Sequence, residues 1–246
     1  MIDQIIIGEK ASFDDFGASV AKRTSKQPKK KTIKEAVPFS NITHDFTAIN
    51  GEIYWEDREL EYTFELISPT PERLEEMKMA FANWLMNIIK QELHDPTIPE
   101  YHYIVTYNDM SFTDEDGMEK TTAKVTFSAY PYKIANYAKS HELEIPANGT
   151  RTVWILNESS HRITPKITAD GAVTLKLGGS TYTMNAGVTE DEAFKLSAGI
   201  NNISIVNSNS AICNVAISFY EEVFLCILQQ FTIAEKAPRY ITAKKN

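Results

Sequence analysis

The sequence is poor in cysteine and has no long apolar run. Its two cysteines, Cys213 and Cys226, are too few for a disulfide framework. Cys213 lies in an alternating apolar pattern, which favours a buried thiol over a disulfide or redox role. The longest apolar stretch near the end, Val223 to Leu228, is far shorter than the ~20 residues that span a bilayer. Because the start of the chain lacks a basic segment followed by a long apolar one, we expect no signal peptide and no membrane insertion.

Positive charge is also scarce. The chain has 25 Lys and Arg against 33 Asp and Glu, a net charge of -8. This balance argues against an obligate nucleic-acid binder, whose affinity depends on phosphate neutralisation. One local exception is a cluster of cations, which contains Lys22, Arg23, Lys26, Lys29, Lys30, Lys31 and Lys34. No aromatic residue lies among them to stack on bases, so the cluster predicts a solvated loop, with a polyanion site as the alternative.

No motif of catalysis or metal binding is present. The five histidines are scattered, without the spacing of a zinc site, and no Gly-x-Ser-x-Gly elbow occurs. The acidic turn Thr113–Gly117 lacks the Asp-x-Asp-x-Asp-Gly pattern of a calcium loop. A glycosidase carboxylate pair cannot be selected among 33 acidic residues without geometry. The sequence therefore predicts a protein that is not an enzyme and has no metal and no cofactor.

The chain changes character at Ala129–Lys133. Every pattern typical of an amphipathic helix comes before this point, and the residues after it read as short strands and turns. Either half is long enough to bury its own core. We therefore predict two domains, residues 1–133 and residues 134–246.

The first half predicts a β-rich domain with one principal helix. Apolar residues alternate with polar ones from Leu60 to Leu66, the period of a half-buried strand. The pair Asn50-Gly51 predicts a tight hairpin turn. Beyond Thr70-Pro71, apolar residues recur at helical spacing, which predicts a helix over about 71–93 that lies on a sheet.

The second half predicts a jelly-roll or galectin-like β-sandwich. Its short strand patterns are separated by pairs such as Asp170-Gly171 and Gly178-Gly179, and a C-terminal extension covers about 224–246. Sandwiches of this kind commonly bind sugars through exposed aromatic side chains. Only Trp154 and Tyr182 are candidates, and each is also consistent with core or inter-domain packing.

The order of these features resembles a known family. An Asn-Gly turn, an amphipathic strand, a proline-initiated helix and a hairpin are followed by Phe127-Ser-Ala-Tyr-Pro-Tyr-Lys133 and a β domain. This order resembles the distal tail protein family of siphophages, whose tails are long, flexible and non-contractile. The Phe-x-x-x-Pro-Tyr-Lys ending is its most specific element, and the second half resembles that family's galectin-like sandwich.

The resemblance implies a structural protein of the virion. Members of this family form a hexameric ring through their N-terminal domains, which joins the tail tube protein above to the tail-tip or receptor-binding proteins below. Genome DNA passes through without specific binding. The resemblance implies that Tyr130, Pro131, Tyr132 and Lys133 form the domain junction. It implies that the cation cluster lies in a loop at a subunit or tail-tube contact, and that the protein is made in the host cytoplasm. A carbohydrate-binding sandwich with an accessory domain is the alternative.

Overall fold

A computed structural model describes residues 3–36, 39, 41, 43–48, 51–115 and 119–224. The elements of the first half are β1 (Ile6–Ile7), β2 (Lys10–Ala11), β3 (Ala18–Ser25), β4 (Lys34–Ala36), β5 (Thr43–Asp45), β6 (Arg58–Ile67), α1 (Pro71–Met86), β7 (Gln91–His94), β8 (Tyr101–Asp114) and β9 (Lys120–Ala129). The elements of the second half are β10 (Lys133–Ala135), β11 (Lys139–Ile145), β12 (Gly149–Asn157), β13 (Lys166–Ala169), β14 (Val173–Leu177), β15 (Ser180–Met184), β16 (Gly187–Glu190), β17 (Gly199–Asn207), β18 (Cys213–Phe219) and β19 (Glu222–Val223).

The first half is built on one nine-stranded sheet that curls towards closure. Its central order is β2-β1-β7-β8-β9-β6-β3, and β10 and β19 extend it from β8. The free side of β3 bonds to the chain around β1 and β2, because the Val20 N–H donates to the Asp3 carbonyl at 2.8 Å and the Ala18 N–H to the Ser12 carbonyl at 2.9 Å. Arg23 reinforces this contact by pairing with both Asp3 and Asp95.

The helix packs against the first core. The Thr70 hydroxyl accepts a hydrogen bond from the Arg73 N–H, and Pro71 occupies the first turn, as expected for a capped start. The sequence predicted that the helix would end near residue 93, but it ends at Met86. The Asn87 side chain donates to the Asn83 carbonyl at 2.6 Å, and residues 91–94 join the sheet as β7 instead of continuing the helix.

The sequence predicted two hairpins, one at Asn50-Gly51 and one that follows the helix, and they have different outcomes. Strands β8 and β9 pair antiparallel along most of their length, as predicted. The turn at Asn50-Gly51 involves Asn50, which lies outside the described residues. Its expected arms do not pair with each other in the described ranges, because β5 pairs with β4 and Trp55 forms a bridge with Lys30.

The second half is a sandwich of two four-stranded antiparallel sheets. One has the order β11-β18-β13-β16 and the other β12-β17-β14-β15. Their inner faces bury a separate cluster of apolar side chains, which includes the predicted buried thiol of Cys213 at 1% exposure. Both Leu175 and Phe194 are fully buried there.

Buried asparagines hold the loops of the sandwich. The Asn201 amide nitrogen donates to the carbonyls of Ser197 and Gly199 at 2.7 and 3.0 Å. The Asn207 amide nitrogen donates to the Ala211 carbonyl at 2.8 Å. Because a buried carbonyl without a partner is costly, these amides replace the ladder bonds that the turning backbone loses.

The described chain is mainly β with one α-helix, which confirms the predicted fold class. Two separate hydrophobic clusters lie on either side of Tyr130 and Pro131, one in the first sheet and one in the sandwich. Among the helices of the described ranges, none combines the length and apolar character that crossing a bilayer requires.

Candidate functional site

Two chain segments connect the first sheet to the sandwich, and they lie side by side. Strand β10 leads into the sandwich and β19 returns from it, and the two pair antiparallel with Lys133 opposite Val223 and Ile134 opposite Glu222. Strand β10 also pairs with β8 of the first sheet. The sandwich is therefore attached at both of its ends, which restricts its rotation more than one linker would. We call this region the joint.

A buried arginine fixes both segments of the joint. Arg58, at the start of β6, is 2% exposed. Its Nη2 donates to the carbonyl of Pro131 and, at 3.3 Å, to the carbonyl of Phe224. The guanidinium also lies over the ring of Tyr103, 5.6 Å from its centroid. Burial lowers the pKa of Arg58 from its ordinary value, and the flat fork of donors suits two carbonyl acceptors.

Aromatic rings stack across the joint from both halves of the chain. The Tyr132 ring lies between His161 of the sandwich, with centroids 4.1 Å apart, and Phe224, with centroids 4.4 Å apart. Trp55 of the first half meets Phe224 edge-on at 4.8 Å. Burial raises the pKa of Tyr132 to about 12, with smaller effects of nearby carboxylates. Such contacts contribute roughly 0.5–1.5 kcal/mol each beyond area burial.

A carboxylate and a histidine meet at the edge of this stack. The Tyr130 hydroxyl donates to Glu222 Oε2 at 2.9 Å, and His161 Nε2 lies 3.3 Å from the same oxygen. Burial raises the pKa of Glu222, opposed by the Tyr130 bond. Burial also lowers the pKa of His161, opposed by the charge of Glu52. The neutral forms of both groups are therefore favoured relative to water.

Ion pairs complete the joint. Lys139 contacts both Glu158 and the buried Glu221 at 2.5 Å. Arg162 of the sandwich pairs with Glu52 of the first half at 3.4 Å. The second pair is partly exposed, so it orients the two halves more than it stabilises them.

A cleft of 670 Å³ opens beside the aromatic stack, between residues 51–57 and the sandwich loops 160–162 and 195–198. Among the described residues that line it, no nucleophile lies beside a general base. Within the described ranges, no three His, Cys, Asp or Glu side chains are placed to hold a metal ion. The contacts of the joint connect the first sheet to the sandwich.

The structure divides the predicted cation cluster. Lys22 and Arg23 lie on β3 and Lys34 lies on β4. Lys26 pairs with Glu59 at 2.5 Å. The segment 29–31 lies against residues 54–56, since the Lys31 N–H donates to the Tyr54 carbonyl at 2.9 Å and the Glu56 N–H donates to the Lys29 carbonyl at 2.8 Å. Lys29, Lys30 and Lys31 are exposed, so this segment is an ordered cationic edge next to the joint rather than a free loop.

The two aromatic candidates for sugar binding lie in different environments. Trp154 is 70% exposed on the outer face of the sandwich. Tyr182 packs edge-on against the core residue Phe194, with centroids 5.1 Å apart. Core packing therefore accounts for Tyr182, and it does not account for Trp154.

The sequence predicted a junction at Tyr130–Lys133 but indicated none of the residues that contact it. Arg58, Glu222 and Phe224 are distant from the junction in sequence and carry no local motif. The one available signal was that Arg58, a charged residue, shares the face of the alternating strand that carries the apolar side chains. Glu222 and Phe224 reach the site because β19 returns to pair with β10.

These features define a class of protein: a two-part β scaffold in which a curled sheet with one helix carries a β-sandwich on a double-stranded joint. The chain is similar in structure to the Dit protein (gp 19.1) of phage SPP1, described as a paradigm of the hub adsorption apparatus in phages that infect Gram-positive bacteria. The TM-score is 0.63 at 12% identity, over 89% of this chain and 99% of that chain. The resemblance to the distal tail protein family is thereby confirmed at the level of the fold.

The other comparisons add little. A de novo designed double-stranded β-helix matches 34% of this chain at 16% identity, but its TM-score of 0.26 supports no conclusion. No protein-family model and no curated protein matches the sequence.

Proposed function

We propose that this protein is a structural component of a phage tail, the hub at its distal end. The observation that carries the proposal is the fold likeness to a phage hub protein over nearly the whole of both chains. The matched protein is described as part of an adsorption apparatus, which supports a structural role rather than an enzymatic one. On this proposal the protein is located in the virion.

The proposed assembly is a hexameric ring formed by residues 1–133, with residues 134–246 projecting from it. The ring joins the tail tube protein to the tail-tip or tail-associated protein and to a receptor-binding protein, and it surrounds the channel for DNA. The net charge of -8 supports free passage of DNA, because a basic lumen would hold phosphates by counterion release. The double-stranded joint supports a mechanical role, since Arg58 and the aromatic stack connect the two halves.

Mass photometry and negative-stain images of the purified full chain, alone and with the tail tube and tip proteins, test this assembly. We expect closed rings of six times 27.8 kDa, because a head-to-tail interface must close or form a filament. A chain that stays monomeric even with both partner proteins would contradict the proposal.

The exposed cationic edge next to the joint gives a directed variant. We expect Lys29→Glu with Lys31→Glu to weaken assembly or tail-tube binding, because it reverses the charge of the proposed contact. Lys166→Glu on the sandwich is the control, since Lys166 is also exposed but lies outside residues 1–133. Equal loss in both variants would show that the cationic edge is not a contact.

A further inference from the structure

The outer face of one sheet of the sandwich carries an exposed apolar patch. Trp154 and Leu156 point outward from β12, and Ile200 points outward from the neighbouring β17. Leu156 and Ile200 are direct cross-strand partners, and Trp154 lies two residues along from Leu156. Their exposed fractions are 70%, 45% and 73%. Scattered exposed apolar residues need no explanation, but three contiguous ones around a tryptophan indicate a contact surface.

Trp154 has no visible structural role. The side chains on either side of it in sequence, Val153 and Ile155, point inward and pack on the sandwich core. Among the described residues, no aromatic ring stacks on the Trp154 indole, in contrast to Trp55 and Trp84. Its face is open to a ligand.

The surroundings of Trp154 are polar but uncharged. Asn202 is the direct cross-strand partner of Trp154, and Thr152 is the partner of Ser204 one step further along the same two strands. These three side chains form no hydrogen bond with other described residues, so their amide and hydroxyl groups are available at strand spacing. Lys176, the partner of Ser204 on β14, places a charged side chain on this face two strands away from Trp154.

The outer face of the opposite sheet differs. It carries the carboxylates of Glu142 and Glu144 on β11 and the ammonium group of Lys166 on β13. A surface for a charged ligand would be expected there. The face around Trp154 is complementary to a ligand that has no charge, one flat apolar side and many hydroxyl groups.

The size of the patch argues against a stable protein partner. The three apolar side chains expose roughly 300 Å² together, if a full tryptophan presents about 250 Å² and an aliphatic side chain about 100 Å². A standard protein interface needs about 800 Å² from each partner. A single sugar ring needs an area close to that of one indole face, which this patch supplies.

We propose that the Trp154 face binds a neutral saccharide. A sugar ring stacks on the indole through its apolar side, and its hydroxyl groups exchange hydrogen bonds with Asn202, Thr152 and Ser204. Leu156 and Ile200 flank the ring on its apolar side. Tyr182 has no part in this site, because it packs inward on Phe194. Binding at this face does not depend on the proposed hub role. In a hexamer, however, six weak sites would act together by effective concentration.

Tryptophan spectroscopy of the full chain tests the site. The chain has three tryptophans, so the indole N–H signals in an NMR spectrum can be followed one by one. The probes are chitotetraose, maltotetraose, cellotetraose and lactose, each titrated to several millimolar. We expect at least one of them to shift the Trp154 signal with a dissociation constant of about 1 mM, while Trp84 stays unchanged.

Two variants make the result specific. Trp154→Ala and Trp154→Tyr lack the reporting indole, so the affinities of all variants are measured from the saccharide's own NMR signals. Trp154→Ala should weaken binding about tenfold, the loss that corresponds to one stacked ring. Trp154→Tyr should restore part of it. Tyr137→Ala is the matched control, because Tyr137 is 82% exposed but lies outside this face. Thermal melts of all variants show whether each one is folded.

Three results of the saccharide titrations would overturn the proposal. They are the absence of any Trp154 shift with all four saccharides, unchanged affinity in folded Trp154→Ala, and equal loss in Tyr137→Ala. Self-association that disappears in Trp154→Ala would assign the face to a second copy of the chain, and it too would overturn saccharide binding. None of these results affects ring formation, so the proposed function is tested separately.

Discussion

The first sheet and the sandwich differ in the polar interactions that each one contains. Ion pairs cross the outer surface of the first sheet, such as Lys124 with Glu61 at 2.9 Å and Lys120 with Glu65 at 3.2 Å. The sandwich relies on buried amides, of which Asn201 and Asn207 bridge its loops. Exposed ion pairs contribute little to stability, whereas a lost buried amide leaves carbonyls without partners. We therefore expect the first sheet to tolerate changes of surface charge, whereas the sandwich depends on a few buried polar residues.

The largest effect should come from emptying either core. Phe64→Ala in the first sheet and Phe194→Ala in the sandwich remove fully buried rings, so each should lower the free energy of unfolding by about 3–5 kcal/mol. If the two cores are separate, the damage stays on its own side. With fluorinated tryptophan, Phe64→Ala should shift the urea transition reported by Trp84, and Phe194→Ala that reported by Trp154.

Equal shifts of both signals in both variants would contradict this separation. In that case the joint couples the two halves, and they unfold as one cooperative unit.

The next effect concerns the joint. Arg58→Met keeps the apolar stem but leaves the carbonyls of Pro131 and Phe224 without their donor, so we expect a loss of about 3 kcal/mol in unfolding free energy. Arg162→Met is the control, because its pair with Glu52 is partly exposed and should contribute less than about 1 kcal/mol. Urea unfolding measures both. If Arg58→Met is neutral, burial of the charge costs as much as its bonds contribute.

A smaller effect should separate two neighbouring asparagines. Asn201→Ala removes the donor that serves Ser197 and Gly199, so we expect it to cost about 2 kcal/mol. Asn202→Ala alters an exposed side chain of the same strand and should change stability by less than about 0.5 kcal/mol. Similar values for the two would show that the buried amide is dispensable.

The smallest effect is on pH dependence. Burial lowers the pKa of His161 below its ordinary 6.5, so the unfolded chain takes up this proton first as pH falls. Stability from His161 is therefore present above about pH 6.5 and lost below it. Glu222 acts in the opposite sense, because its raised pKa favours the folded state as it becomes protonated. Between about pH 7.5 and about pH 5.5, wild-type protein should lose more stability than His161→Gln.

His44→Gln provides the control for this measurement, since His44 is exposed and outside the joint. It should keep the wild-type pH dependence. Both proteins keep Glu222, so identical pH dependence in wild type and His161→Gln would contradict a contribution from His161.

The sequence predicted the architecture better than the boundaries. Alternation predicted β6, and Thr70-Pro71 predicted where α1 begins, because these signals are local. The predicted end of the helix was wrong, because residues 91–94 pair with β1 and β8 and this pairing overrides helical periodicity. Strand β11 was not predicted, because its outer charges weaken the apolar pattern.

The joint was predictable only in part. The junction Tyr130–Lys133 carries a recognisable pattern, but its partners come from β6 and β19, which no short-range signal connects. The exposure of Trp154 also required the structure, because an alternating strand shows two faces and does not say which one is inside.

Labelling of the intact particle tests whether the protein lies at the distal end of a phage tail. Gold-conjugated antibodies against this chain, imaged by electron microscopy on virions from a host that produces them, report where the protein lies. A hub predicts gold at the distal tip of the tail in nearly every labelled particle. Gold on the capsid, along the tail shaft, or only on material free of virions would contradict the proposed function.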